Sequence, residues 1–380
     1  MAKRTVLILT GEPSGDVVGG KLARALRELD ATCRIVAVGG PKLREAGAEI
    51  VCDIAALGAM GFVAILRQIP RLSALERELE TRFERDRPDV VVPIDYPGFN
   101  LRIARRARAH GIPVVYYVGP QVWAWGAKRI PRIAASVDHM LVVFPFEQDL
   151  YASVGLRTTF VGHPLLDDLE TAPPREVLRA RLGLADDVPL LGLLAGSRIQ
   201  EVRRILPVMA KAAARIAARV PGLRVVASAA SSVPAEEYAG IAREVGGAIE
   251  FLPGPAAPII TASDALLVTS GTATLESGLL GTPLAVLYRT SPVEYRIGRT
   301  LVKIPRISLA NIVAGEDVAP EFLQGDADPE RIADWATHVL TDPGEARRIR
   351  GRLGLLREKL GEPGASRRAA ELVLAEANRS

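Results

Sequence analysis

Three charged side chains stand where a run of branched aliphatic residues stops. Asp95 follows "VVVPI" and precedes Tyr96-Pro97-Gly98, Arg198 follows "LLGLLAGS", and Glu276 lies one turn beyond "ALLVTSGT". An aspartate at such a tip can take a proton from a hydroxyl as a general base; in its plainer reading it opens a turn before Pro-Gly. Gly196-Ser197 turning into a helix present backbone N–H groups to an anion, and Arg198 adds a planar donor fork suited to phosphate. The alternative is a capped helix with a solvated arginine; phosphate binding is the reading taken. Ser270-Gly271-Thr272 repeat the arrangement. Glu276 either complements the helix dipole or accepts from two ribose hydroxyls. A diphosphate between these two tips with a ribose on Glu276 describes a nucleoside diphosphate site. A further tip, "LTGEPSGDVVGGK", places Glu12 and Ser14 among Gly11, Gly15, Gly19 and Gly20, a loop able to approach a ligand closely. Its plain reading is a helix start capped by Ser14 or Asp16.

Other chemistries are poorly supported. The first glycine loop lacks GxGxxG spacing and "RIVAVGG" has no acidic end for a ribose, which disfavours NAD. Gly15 to Lys21 fits GxxxxGK, but Leu22 stands where Ser or Thr must hold magnesium, so a P-loop is rejected. His110, His139, His163 and His338 are scattered, and "DAD" at 326–328 reads as a helix cap before a helix. No Ser-His-Asp set or zinc cluster is present. No metal is expected, because helix N-termini and Arg198 can carry the charge of a leaving diphosphate.

These residues need strands to carry them. Strand-like runs at 4–10, 34–38, 89–94, 112–118 and 138–143 alternate with helical patterns at 16–29, 63–86 and 99–110. The second half repeats the plan, with strands at 189–195, 223–229, 248–252, 264–269 and 283–287 and helices near 199–220, 235–245 and 272–280. Alternation of this kind predicts an α/β protein of two doubly wound, Rossmann-like domains with parallel sheets. The first is expected to span 1–168 and the second 169–344. The join falls in the proline-bearing stretch 162–175. Ligands of open α/β sheets bind beyond the carboxyl ends of the strands, so two such domains are expected to face those ends across a cleft that holds the site.

The 380 residues are 48% hydrophobic and 24% charged, and carry a formal charge of +4, which suits acidic ligands or an anionic membrane surface and identifies neither. No run approaches the ~20 apolar residues of a membrane span. The opening "MAKRTVLILTGEP" reads as a first strand rather than a signal peptide. Cys33 and Cys52 read as small buried hydrophobes in a reducing compartment, so a cytoplasmic protein is expected. Residues 60–72, "MGFVAILRQIPRL", set Phe62, Val63, Ile65, Leu66, Ile69 and Leu72 among Arg67 and Arg71. That pattern fits a core-facing helix kinked at Pro70, or a basic amphipathic element lying in the headgroup plane of a bilayer. Trp123 and Trp125 in "VGPQVWAWG" could line a pocket or fill a core.

Taken together, "GEPSGD", "PIDYPGFN", "VGPQVWAWGAKR", "FPFE", "VGHPLLD", "LLAGSR", "TSGTATLE" and "SLANIVAG" resemble the lipid-A-disaccharide synthases, in family order over nearly the whole chain. The resemblance implies a two-domain GT-B glycosyltransferase that joins UDP-2,3-diacylglucosamine to 2,3-diacylglucosamine 1-phosphate (lipid X). It implies a β(1→6) disaccharide product, release of UDP, inversion and no metal, and a C-terminal helix, 345–380, that joins the first domain. It also implies a cytoplasmic protein peripheral to the inner membrane, which raises the membrane reading of 60–72, and no nucleic-acid partner; a homodimer is compatible with it. Asp95 matches the family's base in "IDxPxFN". Arg198 is expected on the diphosphate, Glu276 on the uridine ribose, Asn311 on another part of the donor, and Glu12 and Ser14 near the donor sugar. Ala310 stands where proline is usual, and Gly119 and Gln121 where serines occur; these departures touch the loops around Asn311 and the tryptophans. Competing readings are another GT-B UDP-GlcNAc transferase or an epimerase, and, remotely, a two-lobed binding protein without chemistry.

Overall fold

A computed structural model describes residues 4–54, 62–124, 126–169, 173–246, 248–291, 295–296 and 304–379, the side chains of 62–69 excepted. The chain forms two compact units, residues 1–167 with 362–380, and residues 168–361.

In the first unit, β1 (Thr5–Leu9), β2 (Arg34–Gly39), β3 (Glu49–Asp53) and β4 (Val90–Pro93) form a sheet in the order β3-β2-β1-β4. Beside it, β5 (Val115–Tyr117), β6 (His139–Val142) and β7 (Thr158–Phe160) pair in the order β5-β6-β7. Parallel bridges Val91–Val114 and Ile94–Tyr117 join the two groups. Every pairing is parallel. The second unit holds β8 (Leu190–Leu194), β9 (Arg224–Ala229), β10 (Ile249–Pro253), β11 (Ala265–Thr269), β12 (Leu284–Tyr288) and β13 (Glu321–Leu323), in the order β10-β9-β8-β11-β12-β13. Counted within each unit, both sheets begin 3-2-1-4-5-6, the doubly wound order.

The strand sequences explain this arrangement. A parallel sheet covered by helices on both faces buries both sides of its strands, and all residues of Val90–Pro93, Leu190–Leu194 and Ala265–Thr269 are buried. Burying such an aliphatic side chain contributes about 1.5–3 kcal/mol. The crossover helix Ile199–Arg219 buries Val202, Ile205, Leu206, Met209 and Ile216, a stripe at three- and four-residue steps that packs against the sheet. All ten expected strands form. The short β3, β7 and β13 were not expected, because "EIVCD", "TTF" and "EFL" lack a long aliphatic run.

One boundary differs from expectation. The helix Pro343–Leu360 belongs to the second unit, not the first. Its Ile349, Leu353, Leu356 and Leu360 are buried, and Leu356 packs over Gly278, where a Cβ would overlap its Cδ1. Only the last helix, Ala365–Ala377, returns to the first unit, packing on the helix Pro13–Leu29. Its start is held from outside: Asp167 accepts hydrogen bonds from the N–H groups of Gly364, Ala365 and Ser366 and from Ser366 Oγ. Ser366 is therefore a donor to Asp167, and Gly364, at φ 91°, takes the cap position. Near its other end Glu376 pairs with Arg157.

Among the described residues, no helix is long and apolar enough to cross a membrane. The helix Phe62–Arg85 contains Pro70. The side chains of Phe62, Val63, Ile65, Leu66 and Ile69, expected at a lipid surface, lie outside the described residues, as do Met60 and Gly61.

Candidate functional site

In a 3-2-1-4 sheet the chain leaves β1 and β4 in opposite directions, opening a crevice between the two loops. In the first unit these loops are Gly11–Glu12, with Ser14 in the first helical turn after it, and Asp95–Tyr96. Asp95 and Tyr96 both adopt left-handed backbone, with φ 46° and 47°. Each such non-glycine residue costs about 1–3 kcal/mol and persists only where its surroundings impose it. Asn100 supplies that constraint: from the first turn of the next helix, Pro97–Ala109, its Nδ2 donates to the carbonyls of Leu9 (3.2 Å), Ile94 (3.1 Å) and Asp95 (2.8 Å). Tyr116 on β5 donates its hydroxyl to the Asp95 carbonyl at 2.6 Å. Two buried side chains thus satisfy the carbonyls that the αL pair turns inward, and the tips of β1, β4 and β5 are tied together.

The Asp95 carboxylate is partly buried. Burial pushes its pKa up to about 6; the Tyr96 backbone N–H opposes this, and the Glu12 charge adds to it. A carboxylate poised near neutrality can accept a proton with useful driving force. Glu12 is half-buried and Ser14 exposed. Neither Ser14 nor Asp16 caps the helix Pro13–Leu29, whose cap residue is Glu12 without a side-chain cap bond. Asp16 is buried and instead caps Pro41–Glu45, accepting from Gly40 N (2.7 Å), Lys42 N (2.8 Å) and Leu43 N (3.2 Å). Ser14 is thereby left without a capping duty.

Beyond the adjacent tips lies a feature that the motifs alone leave unassigned. Glu147, buried in the first turn of the helix Phe146–Ala152, accepts from Trp123 Nε1 at 2.9 Å and from Phe144 N at 3.3 Å. Trp123 stands edge-on to Phe144 and Phe146, and those two rings stack at 5.5 Å. Trp123 therefore neither fills the core alone nor lines a pocket freely; a buried acid holds it. Trp125 lies outside the described residues. Glu147 follows an aliphatic strand by a few residues, the same signal that marks Asp95, but two aromatics between strand and acid obscure it.

The second unit repeats the switch point between β8 and β11. After β8, Gly196 takes φ 101°, and a Cβ there would overlap Oε2 of Glu201. Ser197 and Arg198 are exposed just before the helix Ile199–Arg219. Arg198 donates to Glu201 Oε1 at 3.0 Å, and Ser232 Oγ donates to the Ser197 carbonyl at 2.6 Å. The Glu201 carboxylate thus lies over the glycine, against the group expected to receive phosphate. After β11, Ser270 is half-buried, Gly271 and Thr272 are exposed, and Glu276 is half-buried within the helix Thr272–Leu279. Ser270 Oγ donates to the Ile307 carbonyl at 3.0 Å.

Asn311, expected on the donor, is tied to its own loop. It is buried, its Nδ2 donates to the Ala319 carbonyl and Glu321 Oε1 (both 2.8 Å), and its Oδ1 accepts from Ala319 N at 2.9 Å. Glu321 also accepts from the N–H groups of Ile307 and Ser308. In this arrangement Asn311 and Glu321 shape the loop on which Ser270 rests. Asp328 of "DAD" caps Pro329–Thr341, accepting from Glu330 N and Arg331 N. Among the described residues, no group of three or more His, Cys, Asp or Glu side chains could hold a metal ion.

Comparison with known proteins places this geometry. A family described as "Lipid-A-disaccharide synthetase" matches residues 6–375. The chain belongs to the lipid-A-disaccharide synthase family. The lipid-A-disaccharide synthase of Syntrophus aciditrophicus (strain SB) is 40% identical over 375 residues, covering 98% of each chain. Among solved structures, UDP-GlcNAc 2-epimerase from Neisseria meningitidis bound to UDP-GlcNAc superimposes with a TM-score of 0.66 at 14% identity, covering 98% of this chain and 100% of that one. CalG4, the calicheamicin glycosyltransferase, gives 0.65 at 17%, covering 100% and 99%. At such identities these two show the fold alone: the paired Rossmann-like plan of GT-B enzymes. Membership of the lipid-A-disaccharide synthase family makes the chain a glycosyltransferase of lipid A disaccharide synthesis, acting on a UDP-sugar type of substrate.

Proposed function

We propose that the protein joins UDP-2,3-diacylglucosamine to lipid X with inversion, Asp95 serving as the base. The acceptor 6-hydroxyl oxygen attacks the anomeric carbon, its proton passes to the Asp95 carboxylate, and the bond from that carbon to the diphosphate oxygen breaks with its electron pair. The β(1→6) disaccharide 1-phosphate and UDP result. One displacement inverts the anomeric centre. The observation that carries the reading is Asp95 itself: a carboxylate at a switch point, fixed in left-handed backbone by Asn100 and Tyr116, with its pKa raised to about 6 by burial.

On the donor side, Gly196, Ser197 and Arg198 receive the diphosphate with the N–H groups of the helix start, Ser270, Gly271 and Thr272 form the second anion-facing turn, and Glu276 takes the ribose. Arg198 meets the leaving charge in place of a metal. Glu12 and Ser14 act near the sugar. Asn311 acts indirectly in this reading, through the loop that carries Ile307 and Ser270. Phe62, Val63, Ile65, Leu66 and Ile69 hold the protein to the inner-membrane surface, where its acylated substrates reside. Co-sedimentation with anionic vesicles, lost in Leu66→Glu and retained in a solvent-face variant, tests that part.

The decisive experiment is turnover of the two diacylated sugars by wild type and Asp95→Ala. Loss of a general base typically costs ~10²–10⁴ in rate. A near-wild-type rate in folded Asp95→Ala would remove the base assignment.

A further inference from the structure

The helix Phe146–Ala152 fastens the loop after β5 at two points. Tyr151 donates its hydroxyl to the Pro120 carbonyl at 2.7 Å, with Gly119 packed beneath its ring, and Glu147 accepts from Trp123 Nε1 at 2.9 Å. The loop starts from strain: Val118, a β-branched residue, sits at φ 60°, a conformation that surrounding contacts must impose. A carboxyl group that is 1% exposed is a costly choice for a fastening, since a neutral or apolar contact avoids desolvating it. Its position gives it a further role. β4 is bridged to β5 at Ile94–Tyr117 and β5 is paired to β6 at Tyr117–Leu141, so the tips bearing Asp95, the Trp123 loop and Glu147 are successive neighbours along one sheet edge. Asp95 N bonds to the Tyr117 carbonyl at 3.3 Å, one residue before strained Val118. A shift of the loop therefore reaches Asp95 through a single peptide.

We propose that Glu147 is a positioning residue for the transfer reaction, acting through the Trp123 indole to hold residues 118–124 and, through Tyr117, the setting of Asp95. The inference rests on the reading of Asp95 as the base. The titratable groups of these tips face one another. Burial pushes Glu147 up to about 8, against the Trp123, Phe144 and Val143 N–H groups, with the Asp95 charge adding to the rise. Asp95 is faced in turn by Glu12 from the tip of β1, by Tyr116 from β5 and by Glu147. Tyr151 faces Glu147 on the same helix and Arg129 from beyond the loop. A largely neutral Glu147 holds the indole without adding a full charge beside the base.

The test compares Glu147→Ala, Trp123→Phe, the double variant and Asp95→Asn, using the two diacylated sugars for turnover and UDP for calorimetry. Trp123→Phe keeps the ring and keeps Glu147 on Phe144 N, so it carries the test if Glu147→Ala fails to fold. Both single variants are expected to lose about tenfold or more in kcat, the scale of small misplacements at a reacting centre, with UDP affinity unchanged within about twofold. The double variant is expected to be no worse than the worse single, since both remove one bond. The acidic limb of kcat/KM is expected to move to lower pH in both singles, as water reaches Asp95. Full kcat in Trp123→Phe, additive losses, or an acidic limb displaced only when the Glu147 carboxyl is removed would each overturn the inference. Asp95→Asn retaining activity would instead remove the base reading, whatever the other variants do.

Discussion

Gly11 lies directly under the ring of Tyr96: a Cβ at Gly11 would overlap Cγ and Cδ1 of that ring. The loops after β1 and β4 are thereby locked to one another, and Tyr96 is the neighbour of Asp95. Gly11→Ala must displace a ring whose backbone is already strained. It is expected to lower kcat by about tenfold or more while costing about 1–3 kcal/mol of stability, as overpacking does. Steady-state turnover and a denaturant titration check the two effects separately; an unchanged kcat would show that Tyr96 can move without disturbing Asp95.

The raised pKa of Asp95 has opposite consequences for activity and stability. As a base it must be ionised, so kcat/KM should fall about tenfold per pH unit below roughly 6. Because its folded pKa lies above the ordinary aspartate value, its contribution to stability is fully present at low pH and is lost as pH rises through about 6. Asp95→Asn removes that cost. The variant should be nearly inactive yet more stable than wild type by about 1–3 kcal/mol at pH 8, with no advantage at pH 4. Equal stability at pH 8 would show that Asp95 is better solvated than its setting implies.

In the proposed donor site, Glu201 and a diphosphate compete for Arg198. Arg198→Ala should weaken UDP binding by about 1.5–3 kcal/mol, the range of a charged hydrogen bond. Glu201→Gln removes a negative charge from above Gly196 and should tighten UDP binding several-fold. Calorimetry with UDP measures both, and opposite signs for the two variants are the expected outcome. A weaker affinity in Glu201→Gln would mean that the carboxylate serves mainly to orient Arg198.

If Arg198 and helix starts carry the leaving charge, as proposed, turnover should persist in excess EDTA, changing by less than about twofold. An activity abolished by chelator and restored by a divalent cation would overturn that assignment.

The motif strings led to the Asp95 tip and to the turns at Gly196–Arg198 and Ser270–Thr272 because strand tips are local: a buried aliphatic run must end, and the residue that ends it is visible in the chain. Asn311 shows what motif position leaves out. Its place in "SLANIVAG" suggests a donor contact, but its amide is committed to Ala319 and Glu321, residues brought to it by the pairing of β13 with β12. Glu147 is hidden in the opposite sense, since its partner Trp123 lies 24 residues earlier. Asp16 likewise reads as a cap for its own helix and caps another, 24 to 27 residues away.

By itself the sequence determined the alternation of buried strands and amphipathic helices, the two-domain plan and the family, because hydrophobic periodicity and turn chemistry act over a few residues and leave a direct record. Only the tertiary structure decided that Asp95 is held in left-handed backbone by Asn100 and Tyr116, that its proton affinity is raised, and that Pro343–Leu360 and Ala365–Ala377 serve different units. Burial and hydrogen-bond partnership are properties of neighbours distant in the chain, and a carboxylate's proton affinity is set by those neighbours rather than by its own position in the sequence.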